Sequence, residues 1–411
     1  MRHPAVIMGL SITGLAAIRS LGERGIPCIG VDATSCPIGR FSKYCHYLQY
    51  SVNSNSDQSL LGLLMAVAEK IEGKGVLYPT SDEYVRFVAR SRDVLKESFA
   101  FRVPSTEMVE GLVNKKEMYR WAEEIGVAIP RTIFPKTRDE LLVQMKDMRF
   151  PCIMKPAYQF MVEQNIMRKL IVVYNIDDLI LEFDRASNGD PRLVIQEIIP
   201  GDDNQILIYL AYCGRKGEPD CIFTGRKLRQ YPIRYGTASL AESLWLPEVA
   251  DAGRRFLAGL GYEGLAGIEF KKDLRDGQLK LMEINTRLVQ WHGLAKACGV
   301  DVCYFQYCDL IGETTPKVTV FDERKKWIFL LQDIPSSLKY MNEGSLSVKD
   351  WLLSLRNIRY VAEGSLKDPI PLIISISRLL IVGLRKTYLQ LMAMIRPKER
   401  LLNAAFKKDR A

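Results

Sequence analysis

Gly264-Leu-Ala-Gly-Ile-Glu-Phe270, then after a short connection Leu279-Lys-Leu-Met-Glu-Ile-Asn-Thr-Arg287, is the stretch that decides how this chain is read. Both runs are strand-like, and Asp276-Gly277 between them is a tight-turn signal, so the spacing predicts a β-hairpin. With the turn centred near Asp276, Glu269 faces Glu283, while Ile268 and Phe270 pair with Ile284 and Met282. Asn285 falls on the face of Glu283, because strand side chains alternate with period two. Like charges directly opposed destabilise a sheet. Two carboxylates and an amide oxygen are hard donors of the kind Mg2+ takes, so a metal ion is expected between them. The other reading is a solvated hairpin face relieved by Lys271 and Lys280.

At 411 residues the chain can form two or three domains with full cores. Its nine cysteines lack paired close spacings and its only histidines are His3, His46 and His292, which argues against a disulfide framework or a Cys/His zinc site. A reducing, cytoplasmic setting is expected. Met1-Arg-His-Pro4 leads directly into a short apolar strand, and the next segment is interrupted by Arg19 and Glu23, so no signal peptide is expected. Most of the net charge of +9 resides in the tail: from Gly364 to Ala411 there are ten Lys or Arg against three acids, a local excess of seven. No basic pattern interleaved with aromatics occurs, and a nucleic-acid partner is not expected.

Residues 1–112 read as a Rossmann-like α/β domain. Ala5 to Met8 is a strand, a glycine turn and a helix come next, and a second strand ends at Asp32. Gly9, Ser11, Gly14 and Asp32 approximate a dinucleotide fingerprint, but serine replaces the middle glycine, and tight helix-to-strand packing is the favoured reading. A strand at Gly75 to Pro79 with Thr80-Ser-Asp-Glu83, then Phe101-Arg-Val-Pro104, continues the alternation. A new unit opens at Asn114. Met118, Trp121, Ala122 and Ile125 share a helical face, Asn114 with Glu117 can cap its start and Gly126 its end, and Pro130 prevents continuation. Lys115 and Lys116 occupy the first turn, where the helix dipole disfavours cations. That conflict is either functional or the small cost of two exposed lysines.

Lys155 ends the apolar strand Pro151-Cys-Ile-Met-Lys155-Pro156, either reaching the surface or meeting an anion. A strand and helix come after it, then Leu193-Val-Ile-Gln-Glu197-Ile-Ile-Pro-Gly201 with Asp202, Asp203 and Asn204. Arg226, Lys227 and Arg229 form a phosphate or carboxylate clamp or an ordinary basic loop.

This ordered series resembles the ATP-grasp superfamily of carboxylate ligases: lysine at a helix start, Met-Lys-Pro strand, Gln-Glu-aliphatic-aliphatic-Pro-Gly hinge, basic cluster, Gly-Ile-Glu-Phe, and Met-Glu-Ile-Asn-x-Arg. The match covers Asn114 to about Leu310, and within the superfamily the chain resembles the D-aspartate ligase-like branch. The resemblance implies an α/β protein: a Rossmann-like domain before the ATP-grasp unit (1–112), a small subdomain (113–190), a large subdomain carrying the metal site (191–312) and a helical, basic C-terminal extension (313–411). It further implies that Lys115 and Lys155 hold ATP phosphates, that the strand around Glu197 meets adenine through its backbone, and that Asp203 contacts ribose. Glu269, Glu283 and Asn285 would bind Mg2+ or Mn2+; Arg287, Lys227 and Arg229 would steady the transferred phosphate or substrate carboxylate. The stretch Tyr158 to Lys169, where many relatives carry a glycine-rich lid, contains no glycine.

The implied reaction is ATP-dependent joining of a small-molecule carboxylate to an amine through an acyl phosphate, on a cell-envelope precursor in the branch it resembles. Such chemistry rests on positioning and charge neutralisation and needs no side-chain nucleophile. His292 is a candidate base for the incoming ammonium, or a packed residue. Alternatives are ATP-dependent carboxylation or acylation of another nucleophile, and a nucleotide-binding scaffold whose tail is its working part. Pro371 to Leu384 is apolar, but Arg378 interrupts it and it is too short to span a bilayer. With the cations beyond it, this segment reads as an amphipathic helix for peripheral contact with the inner membrane face, or as helices packed on the body or on a second subunit of a homodimer.

Overall fold

A computed structural model describes residues 3–50, 56–156, 170–186, 193–214, 218–315, 318 and 320–381. Strands β1 (Ala5–Met8), β2 (Cys28–Asp32), β3 (Cys45–Gln49), β4 (Gly75–Pro79) and β5 (Phe99–Ala100) form a parallel sheet in the order β3-β2-β1-β4-β5. All four residues of β1 are buried, as expected for a central parallel strand covered on both faces. Val6 and Met8 pack toward Leu60 and Leu64, whereas Ala5 and Ile7 pack toward the helix Ile12–Gly22.

The glycine pattern after β1 serves packing. A Cβ on Gly9, whose φ is +91°, would lie 2.6 Å from Thr80 Oγ1 and 2.9 Å from the Tyr84 ring. Asp32 accepts from the backbone N–H of Leu10 at 2.7 Å and of Thr34 at 2.8 Å, so its carboxylate closes the loop.

A second sheet is antiparallel: β6 (Thr132–Ile133), β7 (Cys152–Pro156), β8 (Ile171–Val173) and β9 (Leu193–Glu197), in the order β6-β9-β7-β8. The third contains β10 (Ile206–Cys213), β11 (Pro219–Tyr231), β12 (Thr237–Ser243), β13 (Gly264–Lys272), β14 (Leu279–Asn285), β15 (Lys326–Ile328) and β16 (Ile358–Val361), in the order β14-β13-β10-β11-β12-β15-β16. One face of this sheet packs against the helices Lys115–Ile125 and Pro247–Leu260, and the other joins the core of the first domain.

These sheets depart from the boundaries expected from sequence. β9 hydrogen-bonds to β6 and β7, so the small sheet continues to Glu197 rather than ending before residue 191. The C-terminal segment is not purely helical: besides helices Leu330–Asn342 and Val348–Ser354 it supplies β15 and β16. β15 pairs with β12, satisfying backbone groups that an edge strand would leave open. All nine cysteines are unpaired.

The segment after β16 is tied to the first domain. Arg19, in the last turn of a buried helix, donates to Asp368 Oδ2 at 3.0 Å, to the carbonyls of Ala362 and Glu363 at 3.1 and 2.9 Å, and to the carbonyl of Asp368 at 3.0 Å. Lys43 N–H donates to the other Asp368 oxygen at 2.9 Å. A helix then spans residues 370–381; among the described residues no helix is long and apolar enough to cross a membrane. The rest of the expected basic tail, 382–411, lies outside the described residues. Because both members of this ion pair are fully buried, Arg19→Met strands a carboxylate. We expect a loss of about 3–5 kcal/mol, read as a lower urea midpoint, with a smaller loss when Asp368→Asn is added.

Candidate functional site

The opposed glutamates lie where the sequence puts them: Glu269 pairs with Glu283, Gly267 with Asn285 and Ile268 with Ile284. The expected Phe270–Met282 pairing is corrected, since Phe270 pairs with Leu281 and the register shifts between Glu269 and Phe270. Met282 is therefore the extra residue of a β-bulge, which interrupts strict alternation. The bulge lets Leu281 and Ile284 both enter the core while Glu283 remains opposite Glu269. Tyr119 Oη donates to the Met282 carbonyl at 3.0 Å, and Leu281 N–H to the Ala128 carbonyl at 2.8 Å.

Cations from three elements converge on this pair. Lys227, on β11, reaches across β10 to Glu269 Oε2 at 2.7 Å, and both side chains are largely buried. Lys115 starts the helix Lys115–Ile125, whose cap Asn114 accepts from Lys116 N–H at 3.0 Å. Its Nζ lies 3.9 Å from Glu283 Oε2, so its unfavourable place in the first turn is offset by a facing carboxylate. Glu117 pairs with Arg120 at 2.8 Å.

Lys155, on β7, donates to Gln196 Oε1 at 3.0 Å. Gln196 is fully buried, and its amide donates to Tyr119 Oη and Thr132 Oγ1, both at 2.8 Å, which holds its oxygen toward the lysine. Burial and then the neighbouring Lys115 push the Lys155 ammonium down to about 7, with Glu283 opposing.

The two acids respond in opposite directions. Burial raises Glu269, and Glu283 adds to this against Lys227. Burial also acts to raise Glu283, but Lys115, Lys227, Asn285 and Arg287 outweigh it and hold this carboxyl below its ordinary range. Its side chain is still 43% exposed, so solvent screens part of this field and leaves the carboxylate accessible. Asn285 Nδ2 lies 3.4 Å from Glu283 Oε1, a weak contact. Among the described residues no group of three His, Cys, Asp or Glu could hold a metal. The donor set of two carboxylates and the Asn285 amide oxygen fits a hard, oxygen-seeking ion such as Mg2+ or Mn2+.

Arg287 connects this face to the first domain. Its Nε donates to Asp82 Oδ1 at 2.7 Å and a terminal nitrogen to Asp82 Oδ2 at 3.2 Å. Asp82 begins the helix Asp82–Arg90 just after β4. β1 and β4 flank the topological switch point of the parallel sheet, where ligand crevices form. Sequence reasoning alone missed both Asp82 and Gln196. The available signals were Thr80-Ser-Asp-Glu83 at a strand end, and the glutamine beside Glu197.

Other expected site residues have different settings. Arg229 does not join the cluster: it makes two 2.8 Å bonds to Asp333 and one of 2.7 Å to Ser354 Oγ, in a buried ion pair. Register shifts on both sides of Arg229 break the alternation that would have kept it beside Lys227. Glu197 accepts from Arg131 N–H and pairs with Arg275, both at 2.8 Å, and its backbone N–H donates to the Arg131 carbonyl. Asp203 accepts from Gln230 at 2.8 Å and from the Tyr340 hydroxyl; among the described residues no contact joins it to the cluster. His292 is buried with Nδ1 2.7 Å from the Val289 carbonyl, and burial pushes it down to about 4, a packed residue rather than a base. Lys169 and the glycine-free stretch lie outside the described residues.

The architecture recurs in solved structures. Biotin carboxylase from Campylobacter jejuni superposes with a TM-score of 0.61 at 18% identity, covering 78% of this chain and 74% of that one. The chain has the ATP-grasp fold. Among curated proteins, D-aspartate ligase of Enterococcus faecium is 25% identical over 272 residues, 62% of this chain and 64% of that protein. The formate-dependent phosphoribosylglycinamide formyltransferase of Wolinella succinogenes is 27% identical over 169 residues, covering 41% and 43% respectively. The chain thus spans less than two thirds of either relative's length. No family model matches it.

With its ammonium pushed down to a pKa of about 7, Lys155 loses its charge as the pH rises through that range. A bound polyphosphate raises that pKa again, so ATP binding at about pH 8 is expected to take up a proton, and uptake fades as the pH falls well below 7. Calorimetry in buffers of different ionisation enthalpy measures it; an unchanged uptake in Lys155→Met sinks the assignment.

Proposed function

We propose that this protein is an ATP-dependent ligase that joins a carboxylate to an amine through an acyl phosphate and releases ADP and phosphate. The observation that carries the reading is the register of Glu269, Glu283 and Asn285 beside Lys115, Lys155 and Lys227, the donors and cations needed for a nucleoside triphosphate with a divalent metal. The 272-residue match to a D-aspartate ligase, longer than the match to the formyltransferase, favours amine ligation over the other group transfers of this fold. We take the carboxylate or the amine to belong to a cell-envelope precursor and the reaction to be cytoplasmic.

Each residue has a defined task. Lys155, oriented by Gln196, and Lys115 hold the phosphates. The strand at Glu197 presents its backbone to adenine, and its side chain couples Arg131 to the β13–β14 turn through Arg275. Asp203, already held by Gln230 and Tyr340, is the ribose contact. Glu269, Glu283 and Asn285 hold Mg2+ or Mn2+. When bound, the metal supplies Lewis-acid neutralisation of phosphate oxygens. Arg287, with its alternative partner Asp82 at hand, steadies the transferred phosphoryl group or the acid that attacks it, and Lys227 opposes the burial that raises Glu269. A carboxylate is a poor electrophile, and phosphorylation gives it a leaving group that an amine can displace.

Incubation with ATP, Mg2+ and pooled acids and amines is expected to yield a product lighter by one water than its two substrates, detected by mass. ATP binding with no such product, and phosphate release at background across the pool, would favour a non-catalytic scaffold. Glu283→Gln is expected to lower turnover at least about 100-fold and weaken Mg-dependent nucleotide binding, because even outer-shell changes at metal sites cost 10–100-fold. Near-normal activity in that variant rules out the metal assignment.

A further inference from the structure

The last described helix leaves an apolar face uncovered. Over residues 370–381, Ile370, Ile373, Ile376, Leu380 and Ile381 recur at three- and four-residue spacing, which places them on one side of an α-helix. Each is between 47% and 64% exposed, and Leu366 just before them is fully exposed. The opposite side is fixed: Pro371 and Ser375 are buried, and Ile374 packs against the main core. Arg378 donates to the Cys36 carbonyl at 2.7 Å and lies over the Phe41 ring. The helix is therefore held on the first domain, just after the Arg19–Asp368 anchor, with its apolar side facing out.

We propose that this face docks on an anionic lipid surface. Charge selects this occupant over the two others that an apolar stripe allows. Arg40 and Lys43 lie against Phe41 and Tyr44 beside the helix, and Lys367 is exposed at its start. Residues 382–411 add Arg385, Lys386, Arg396, Lys398, Arg400, Lys407, Lys408 and Arg410 against only Glu399 and Asp409. A second copy of the chain, or the chain's own tail folded back, would bring these cations against their like. Anionic headgroups neutralise them while the isoleucines and leucines enter the acyl boundary. In sequence, Leu384, Tyr388, Leu391 and Ile395 keep step with the stripe, and Arg385, Lys386 and Arg396 fall off it. The docking is independent of the ligase reading, and its test needs neither ATP nor substrate.

The full-length protein is mixed at low salt with sucrose-loaded phosphatidylcholine vesicles, with or without about a third phosphatidylserine, and sedimented. Binding is expected only with the anionic vesicles, falling as salt is raised. The double variant Ile373→Glu, Leu380→Glu, at exposed positions, should keep the wild-type urea midpoint and bind about tenfold more weakly or worse. Failure of the wild-type protein to sediment, or equal binding by the variant, overturns the proposal. So does light scattering that shows a lipid-free dimer of wild type becoming a monomer in the variant, since a second copy would then own the face.

Discussion

Two carboxylates held opposite each other on adjacent strands are a local cost that the rest of the site is built to offset. The repulsion between Glu269 and Glu283 is shared among lysines from three separate elements: Lys227 on β11 and Lys115 at a helix start pair with the acids, and Lys155 on β7 feels Glu283. None of these elements is adjacent to another in sequence. The cluster forms only when the four-stranded sheet, the helix Lys115–Ile125 and the seven-stranded sheet meet, so folding and construction of the charge pattern are one event. With Lys155 charged, as it is below about pH 7, the three lysines outnumber the two glutamates.

Arginine ion pairs fasten the parts around it. Arg287, just past β14, pairs with Asp82 of the first domain, Arg229 joins β11 to Asp333, and Arg19 joins the first domain to Asp368. The last two pairs are buried, and each guanidinium makes further hydrogen bonds that satisfy its donors. Such pairs add little net stability over well-packed apolar groups, but they tolerate no loss of one partner. They fix how the sheets sit together, while the Arg287–Asp82 pair is only partly buried.

Much of the site was legible because strand periodicity is a strict rule. It carried Glu269, Glu283 and Asn285 to one face from the sequence alone, and the order of motifs carried Lys115, Lys155 and Lys227. The same rule failed where a bulge intervened: Met282 displaced Phe270 by one partner, and irregular pairing turned Arg229 away from Lys227. Bulges answer to core packing, here Leu281 and Ile284 both seeking the same apolar cluster, which local spacing does not encode.

By itself the sequence determined the hairpin, its opposed acids and the residue types that gather there, because these come from alternation and turn chemistry over a few residues. Tertiary structure alone decided which cation serves which acid. It also put Asp82 at Arg287, paired Arg229 with Asp333, buried His292, and joined β15 and β16 to the large sheet. Each of those outcomes depends on burial or on contact between segments far apart in the chain. Arg19 and Asp368 are 349 residues apart and meet at 3.0 Å, a distance that no local pattern carries.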